Sequence, residues 1–190
     1  MTSNPFYKDL NPISFLDRSA DVYPDKPALN YGDITYTYQD FYNRVNKLAG
    51  ALQKEGIKKG DRVGFLVPNI PAMFEGHYGP LKIGAVLVAI NTRLSAREVS
   101  YILNHSGAKV LVFDSEYAEL INQIKNELPK ITRFVQVVDT FPKSSLVEGP
   151  EYEEFLDSAA PGEHRVPLES ESDPISVSYT HLTLPTILLV

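Results

Sequence analysis

The hydrophobic positions change their period along the chain, and this change predicts the order of helices and strands. Between residues 62 and 138, short and nearly continuous apolar runs alternate with amphipathic stretches. Runs of the first kind are typical of strands that are buried on both faces of a parallel sheet. The predicted strands are 63–67, 85–90, 110–113 and 134–138.

The amphipathic stretches between these runs predict helices at 72–83, 95–104 and 116–128. The second opens with Ser95 and Glu98, the spacing of a capping box, and Gly107 follows its end. The third places four apolar side chains on one face: Tyr117, Leu120, Ile121 and Ile124. Strands that alternate with helices in this way predict an α/β fold with a mainly parallel sheet, flanking helices and right-handed crossovers.

Before this series, the pattern predicts a helix over 14–22 and a hairpin. Tyr23-Pro24 ends the helix, because a residue that precedes proline is driven out of helical conformation. The hairpin pairs 28–31 with 34–38 around a turn at Gly32-Asp33.

A longer helix follows the hairpin. Thr37 and Asp40 form a second capping-box pattern, and Gly56 is placed to end the helix in a left-handed conformation. The apolar positions between them recur at spacings of four, three and four residues: Phe41, Val45, Leu48 and Leu52.

Residues 140–173 are richer in Pro, Ser and Glu. A short helix over 151–156 interrupts them, and we expect it to be a surface excursion with Glu151, Glu153 and Glu154 on a solvated face. Asp173-Pro-Ile-Ser-Val177 predicts the start of another strand.

Composition and charge exclude several classes of protein. The chain has 190 residues, 43% of them hydrophobic, which suffices for a core. A net charge of −6 disfavours a nucleic-acid surface, since phosphate binding needs clustered Lys and Arg. The absence of cysteine excludes disulfides and thiolate metal sites and fits a cytoplasmic or organellar protein. The N-terminal residues are too polar for a signal peptide, and no apolar run reaches the length of a membrane span.

Five motifs in order carry a family resemblance. They are Lys59-Gly-Asp-Arg-Val63, Pro68-Asn-Ile-Pro71, Gly84-Ala85, Asn91-Thr-Arg-Leu94 and Ala108-Lys-Val-Leu-Val112. In this order and spacing they resemble the amino-terminal part of the AMP-forming acyl-CoA synthetases, within the adenylate-forming superfamily. The resemblance covers residues 11–176 and implies the N-terminal subdomain of that fold, truncated. Asn91-Thr-Arg-Leu94 and the N-terminal Pro5-Phe-Tyr7 favour enzymes for medium-chain or aryl acids.

The same motifs also have a structural explanation. Gly60-Asp61 predicts a tight turn into a strand, and Pro68 to Pro71 predicts a strand end followed by a helix. Asn69 is the best candidate for a ligand contact, because ligands bind at the carboxyl ends of strands in open α/β sheets. Arg93 could meet an anionic group, but the favoured interpretation is a solvated or helix-flanking arginine. The histidines His77, His105, His164 and His181 have no metal-binding spacing, so we expect no metal site and assign no catalytic residue.

The resemblance implies a two-step reaction. A carboxylate attacks the α-phosphate of Mg²⁺-bound ATP to form an acyl-adenylate, and coenzyme A then displaces AMP to form a thioester. In the family the phosphates lie in a Tyr-Thr-Ser-Gly-Thr-Thr-Gly-x-Pro-Lys-Gly loop that follows a strand. This chain has Ser178-Tyr-Thr180 in that register, so Thr180 is a candidate cofactor-binding residue at the edge of the loop. His181-Leu-Thr-Leu-Pro185 then replaces its glycines.

The last residues differ from the rest of the chain. Residues 174–190 contain no Asp, Glu, Lys or Arg, and 177–186 resemble one translated frame of a transposase-type sequencing adapter. We therefore expect three segments: a tail at 1–10, a partial AMP-binding domain at 11–176 and a non-native tail at 177–190. A natural truncation and a functional divergent loop are the alternatives for that last segment. Residues 177–180 fit both the family and the adapter.

The predicted function is that of a fragment of an ATP-dependent carboxylate–CoA ligase, inactive as written. The fragment itself is expected to bind no ATP, Mg²⁺ or coenzyme A, and the parent protein is expected in the cytoplasm or in peroxisomes. One alternative is an adenylation module that passes its adenylate to a carrier domain. Another is a non-catalytic truncated protein that acts by binding or dimerisation.

Overall fold

The computed structural model describes residues 11–160, 162–166, 170 and 172–178. The predicted tail at 1–10, Thr180 and the segment 179–190 lie outside these described residues. The α-helices are α1 (Pro12–Val22), α2 (Tyr38–Lys54), α3 (Pro71–Gly76), α4 (Gly79–Lys82), α5 (Ala96–Ser106), α6 (Ala118–Ile124) and α7 (Tyr152–Asp157). The strands are β1 (Pro27–Tyr31), β2 (Ile34–Thr37), β3 (Arg62–Leu66), β4 (Val86–Ala89), β5 (Val110–Asp114), β6 (Arg133–Val137) and β7 (Ser176–Ser178).

Strands β3 to β7 form one parallel sheet in the order β6-β5-β3-β4-β7. Strands β1 and β2 form a separate antiparallel hairpin, as the sequence predicts. The predicted α/β fold with a parallel sheet and flanking helices is therefore confirmed.

The side chains of the central strand alternate between two hydrophobic layers, because successive residues of a strand point to opposite faces. Val63 and Phe65 pack with α2 and α7 on one face of the sheet, whereas Leu66 packs with α5 and α6 on the other face. The sheet is thus covered on both sides, which explains why its central strands are apolar at nearly every position.

Local signals fix several helix ends as predicted. Both capping boxes form, at Thr37 with Asp40 and at Ser95 with Glu98. Gly107 ends α5 in the left-handed region at φ 65°. The first helix begins at Pro12, two residues earlier than predicted, because the side chain of Asn11 caps it by accepting from the amide of Ile13.

The predicted helix over 72–83 is wrong as a single element. The structure divides it into α3 and α4, with His77 and Tyr78 between them. Pro80 has no N–H to donate to the carbonyl one turn earlier, so a continuous helix would lose a hydrogen bond there. Gly79 packs against Leu48 of α2, where an added Cβ would lie 2.4 Å from the leucine Cδ2.

The predicted surface excursion at 151–156 is also wrong. It is helix α7, and Tyr152, Phe155 and Leu156 are each at most 3% exposed. These three positions lie at helical spacings of three and four, so they form one apolar face, which packs in the core cluster that includes residues of α2. Glu153 is not simply solvated either, because it forms an ion pair with Arg44.

The free edge of β6 is covered by the loop that follows it. Gln136 is fully buried, and its Nε2 donates to the carbonyls of Ser144 (2.9 Å) and Val147 (2.7 Å). Its Oε1 accepts from the amide of Ser144 at 3.0 Å. One carboxamide therefore holds the loop over a strand edge that would otherwise expose unpaired backbone groups.

Candidate functional site

The crevice at the carboxyl ends of β3 and β4 is the natural ligand position in this topology. The loop after β3 leads to α3 on the face that carries α2, while the loop after β4 leads to α5 on the opposite face. Adjacent strands whose connections leave toward opposite faces open a crevice between them, and open α/β sheets bind ligands there.

A groove of about 410 Å³ occupies this crevice. The first loop contributes Pro68 and Asn69, the second contributes Asn91 and Thr92, and β7 contributes Ser178. Apolar side chains complete its lining: Val67, Met73, Ala89 and Ile90. Three strand ends thus supply amide and hydroxyl groups above an apolar floor.

Asn69 lies where the sequence predicts it, after the carboxyl end of β3 and exposed to the groove. It also borders a second groove of about 270 Å³ that lies between the hairpin and α3. Met73 lines both grooves, while Leu29, Tyr31 and His77 line only the second. Asn69 and Met73 are therefore the side chains that the two grooves share.

The second loop is ordered by its own side chains. Asn91 Oδ1 accepts from the backbone amide of Arg93 at 3.0 Å, which forms a local turn. Burial raises the pKa of Tyr117, and a hydrogen bond with Thr92 opposes that shift. The Arg93 residue itself is exposed and does not line the described groove.

Helix α3, which forms one wall of the groove, is held from behind by a buried carboxylate. Glu75 is 1% exposed, and its Oε2 accepts from the hydroxyl of Tyr152 at 2.7 Å. Its Oε1 pairs with Arg44 Nε of α2, and Arg44 also reaches Glu153 at 2.6 Å and 2.9 Å. Burial raises the pKa of Glu75, and the neighbouring Arg44 guanidinium opposes that shift. The network joins α2, α3 and α7 and so fixes the position of Met73.

The groove lining determines what the described chain can bind. It contains no carboxylate and no lysine or arginine among the described residues. Carboxylate oxygens are the usual protein ligands of Mg²⁺, and phosphate binding needs cationic or backbone amide donors. The side chains of the described groove therefore supply neither carboxylate ligands for Mg²⁺ nor a cationic group for a triphosphate, and they offer a ligand only neutral hydrogen-bonding groups.

In the part of the chain that the structure describes, no group of three or more His, Cys, Asp or Glu side chains could hold a metal ion. None of the helices in this part is long and apolar enough to cross a membrane.

Sequence reasoning missed the Arg44, Glu75 and Tyr152 network. Arg44 and Glu75 are 31 residues apart, and Glu75 and Tyr152 are 77 residues apart, so no short-range spacing in the sequence predicts these contacts. The signal that the sequence does contain is Glu75 on the inward face of the predicted helix 72–83. A buried carboxylate needs a polar or charged partner, because Glu is almost never fully buried unless it is paired.

The comparisons with known proteins agree with this geometry. The model of a family described as AMP-binding enzyme matches residues 16–180. A peroxisomal butyrate–CoA ligase of Arabidopsis thaliana is 34% identical over 182 residues, which cover 90% of this chain and 32% of that protein. A 4-hydroxybutyrate–CoA ligase of Metallosphaera sedula is 32% identical over 179 residues, covering 92% of this chain and 32% of that protein.

Solved structures give the same result. The crystal structure of the anthranilate CoA ligase AuaEII in complex with anthranoyl-AMP superposes with a TM-score of 0.83 at 26% identity, over 95% of this chain and 34% of that one. A fatty acyl CoA synthetase of Mycobacterium tuberculosis superposes with a TM-score of 0.75 at 34% identity, over 88% of this chain and 32% of that one. The chain thus spans about one third of the length of the relatives that it matches. With its parallel sheet, its crevice at the strand ends and a family match over most of its length, this chain belongs to the AMP-binding enzyme family.

Proposed function

We propose that this chain is part of an ATP-dependent carboxylate–CoA ligase, which forms an acyl-adenylate and then an acyl-CoA thioester. The observation that carries the proposal is the family match over residues 16–180, which runs through β7 and ends two residues beyond Ser178. The groove at the carboxyl ends of β3, β4 and β7 supports it, because that is where an α/β sheet presents a nucleotide.

In this proposal the described residues serve as the scaffold of the site. Strand β7 pairs with β4 from Leu87 to Ala89 and so brings Ser178 to the rim of the groove. The phosphate loop would begin immediately after this residue, with Thr180 as its first cofactor-binding side chain. Asn69, Asn91 and Thr92 supply neutral hydrogen-bonding groups along the same rim. Coenzyme A, ATP and Mg²⁺ would be cofactors of the longer protein, and no step through Mg²⁺ is derived from the described groove.

For the acid, we propose a medium-chain or aryl carboxylate. Relatives that are butyrate–CoA and benzoate–CoA ligases support this class, as does the anthranilate CoA ligase among the structures. Relatives that use coenzyme A also favour a free thiol acceptor over a carrier domain. Several of them are peroxisomal, and we propose the cytoplasm or the peroxisome as the compartment of the longer protein.

We also propose that residues 177–190 are non-native, although 177–180 fit the family pattern as well as the adapter, and that the chain as written is inactive. Its sequence after Thr180 lacks the glycines and the lysine that would wrap a phosphate. The source transcript should therefore be amplified across codon 176 and read. We expect codons for Ser-Gly-Thr-Thr-Gly after the Tyr-Thr pair, whereas native codons for His-Leu-Thr-Leu-Pro would overturn the adapter interpretation.

The activity itself is tested on the protein that the transcript encodes. Pyrophosphate exchange into ATP should depend on an added acid, and butyrate, hexanoate and benzoate form a suitable panel. Thioester formation with coenzyme A separates a ligase from a carrier-dependent adenylation module. Exchange without any thioester from coenzyme A would contradict the ligase proposal.

A further inference from the structure

The motif Lys59-Gly-Asp-Arg-Val63 lies at the amino ends of the strands, and none of its residues lines the described groove. Backbone hydrogen bonds join it to the start of the neighbouring strand. The amide of Gly60 donates to the carbonyl of Gly84 at 2.8 Å, and the amide of Val86 donates to the carbonyl of Asp61 at 2.7 Å. The motif therefore ties the entry of β3 to the entry of β4.

The stem of Lys59 lies across the bare backbone of Gly84. Gly84 has a φ of 70°, in the left-handed region that favours glycine. An added Cβ there would lie 2.9 Å from Cγ of Lys59 and 3.2 Å from its Cβ. Nζ of the same lysine lies 3.3 Å from Oδ2 of Asp173, and the two side chains are only 34% and 23% exposed. The packing on Gly84 thus places the ammonium beside the chain that leads into β7.

Asp173 is held at a fixed distance ahead of β7. Its amide donates to the carbonyl of Ser170 at 3.1 Å, and the following Pro174 confines its backbone to extended conformations. The carbonyl of Ile175 then accepts from the amide of Leu87 at 3.0 Å. An ion pair at Asp173 therefore fixes the point from which β7 begins to pair with β4.

The side chains of β7 specify its register only weakly. The strand has three residues, all exposed, and register is strongly set only where one face of a strand is buried. In the observed register Ser178 lies opposite Ala89, and both residues line the groove. A slip of two residues would move Ser178 by about 7 Å along β4. The position of Ser178 thus needs a constraint from outside the strand.

We propose that Lys59 is a positioning residue: its ion pair with Asp173 holds β7 in register with β4 and thereby holds Ser178 at the groove. The importance of this register for catalysis rests on the proposed function, but the register itself does not. A disulfide measurement on the 190-residue chain consequently tests the role of Lys59 without any assay of activity.

Because the chain has no cysteine, a pair of introduced cysteines reports the register. Ala89→Cys with Ser178→Cys joins positions that face each other in the observed register and should form a disulfide readily. Ala89→Cys with Ser176→Cys joins positions about 8 Å apart, too far for a disulfide unless β7 moves. The rate at which this second disulfide forms in dilute monomer therefore measures how often β7 leaves its register.

Lys59→Met removes the charge but keeps an unbranched stem against Gly84. We expect the second disulfide to form about two- to fivefold faster in this variant, the effect of losing a partly exposed ion pair. Asp173→Asn breaks the pair from the other side, which covers the case in which Lys59→Met does not fold, and should give the same acceleration. The double variant should be no faster than either single variant, because all three lack the same interaction.

Lys47→Met is the matched control, because it breaks an exposed ion pair with Asp157 on α7. Acceleration in both single variants, without a further increase in the double variant, supports the proposal. An unchanged rate, additive effects or an equal acceleration by Lys47→Met overturns it. In the longer protein Lys59→Met should also raise the KM for ATP, and an unchanged KM would overturn only the importance of the register for catalysis.

Discussion

The hydroxyl of Tyr152 donates a 2.7 Å hydrogen bond to Oε2 of Glu75, a residue that lies 77 positions earlier in the chain. Both side chains are buried, at 3% and 1% exposure. The bond joins α7, which the sequence places at the surface, to α3, which borders the candidate groove. The position of α3 at the groove therefore depends on α7, a helix that is remote in sequence and contributes no residue to the groove lining.

Tyr152→Phe tests this link. The change keeps the ring but removes the donor, so a buried carboxylate oxygen loses a partner. We expect a loss of about 1–3 kcal/mol in the free energy of unfolding, measured by urea denaturation. Tyr101→Phe is the control, because Tyr101 is 51% exposed and should tolerate the change. Equal stability of the two variants would show that the bond does not hold α7 to α3.

Gln136→Leu tests the covering of the sheet edge. Leucine is of similar size but leaves the carbonyls of Ser144 and Val147 without their donor, at an expected cost of about 2 kcal/mol. The freed loop should also be cleaved faster by trypsin after Lys143. Gln123→Leu on the exposed side of α6 is the matched control. Unchanged cleavage after Lys143 would contradict the assigned role of the carboxamide.

The capping box at the start of α2 predicts a pH dependence. Hydrogen bonds from the Thr37 side chain and backbone lower the pKa of Asp40 from its ordinary value of 3.8. A carboxyl group with a lowered folded-state pKa contributes stability above that ordinary value and loses it as the pH falls through the folded value. Asp40→Ala should therefore lower the free energy of unfolding at pH 7, and by progressively less below pH 3.8.

This comparison is made by urea denaturation of both proteins at a series of pH values. A stability difference that stays constant from pH 7 to below pH 3 would show that the carboxylate is not part of the cap. Asp33→Ala in the exposed hairpin turn is the control, and we expect it to change stability little at any pH.

Among the described strands β7 lies at the edge of the sheet, and this position predicts self-association of the 190-residue chain. Residues 174–178 carry no charge, and Ile175 and Val177 are 36% and 37% exposed. An uncharged edge strand with free backbone groups recruits further strands. Val177→Lys should shift the chain toward the monomer in analytical ultracentrifugation. Leu146→Lys, which also replaces an exposed apolar residue, should leave the association unchanged. Association that responds equally to both changes would contradict a specific role for the β7 edge.

Local signals explain how much of this fold could be predicted. The apolar runs predict β3 to β6 to within a residue or two at each end, because strands that are buried on both faces appear in the sequence as nearly continuous apolar runs. The boxes at Thr37 and Ser95 fix two helix starts, since the donors and acceptors of a capping box lie within four residues. The position of Asn69 at the groove could be predicted from topology alone, because the residue follows the carboxyl end of a parallel strand.

The two predictions that failed, a surface position for 151–156 and a single helix over 72–83, have other causes. Tyr152, Phe155 and Leu156 have the spacing of a buried helix face, but the acidic residues among them favour a surface position until the partner Arg44 is known. The break between α3 and α4 follows from Pro80, a local signal that the apolar pattern of 72–83 obscures, and it is accompanied by the close approach of Leu48 to Gly79, a contact between separate elements. Long-range packing of this kind leaves no periodic trace in a sequence.

We propose that this chain supplies the scaffold of a carboxylate–CoA ligase without its phosphate loop. The direct measurement is detection of acyl-adenylate by mass spectrometry after incubation with ATP, Mg²⁺ and butyrate or benzoate. We expect no acyl-adenylate from the 190-residue chain and clear formation by the longer protein that is read from the source transcript. Acyl-adenylate formed by the purified 190-residue chain would contradict the claim, as would a longer protein that forms none from either acid.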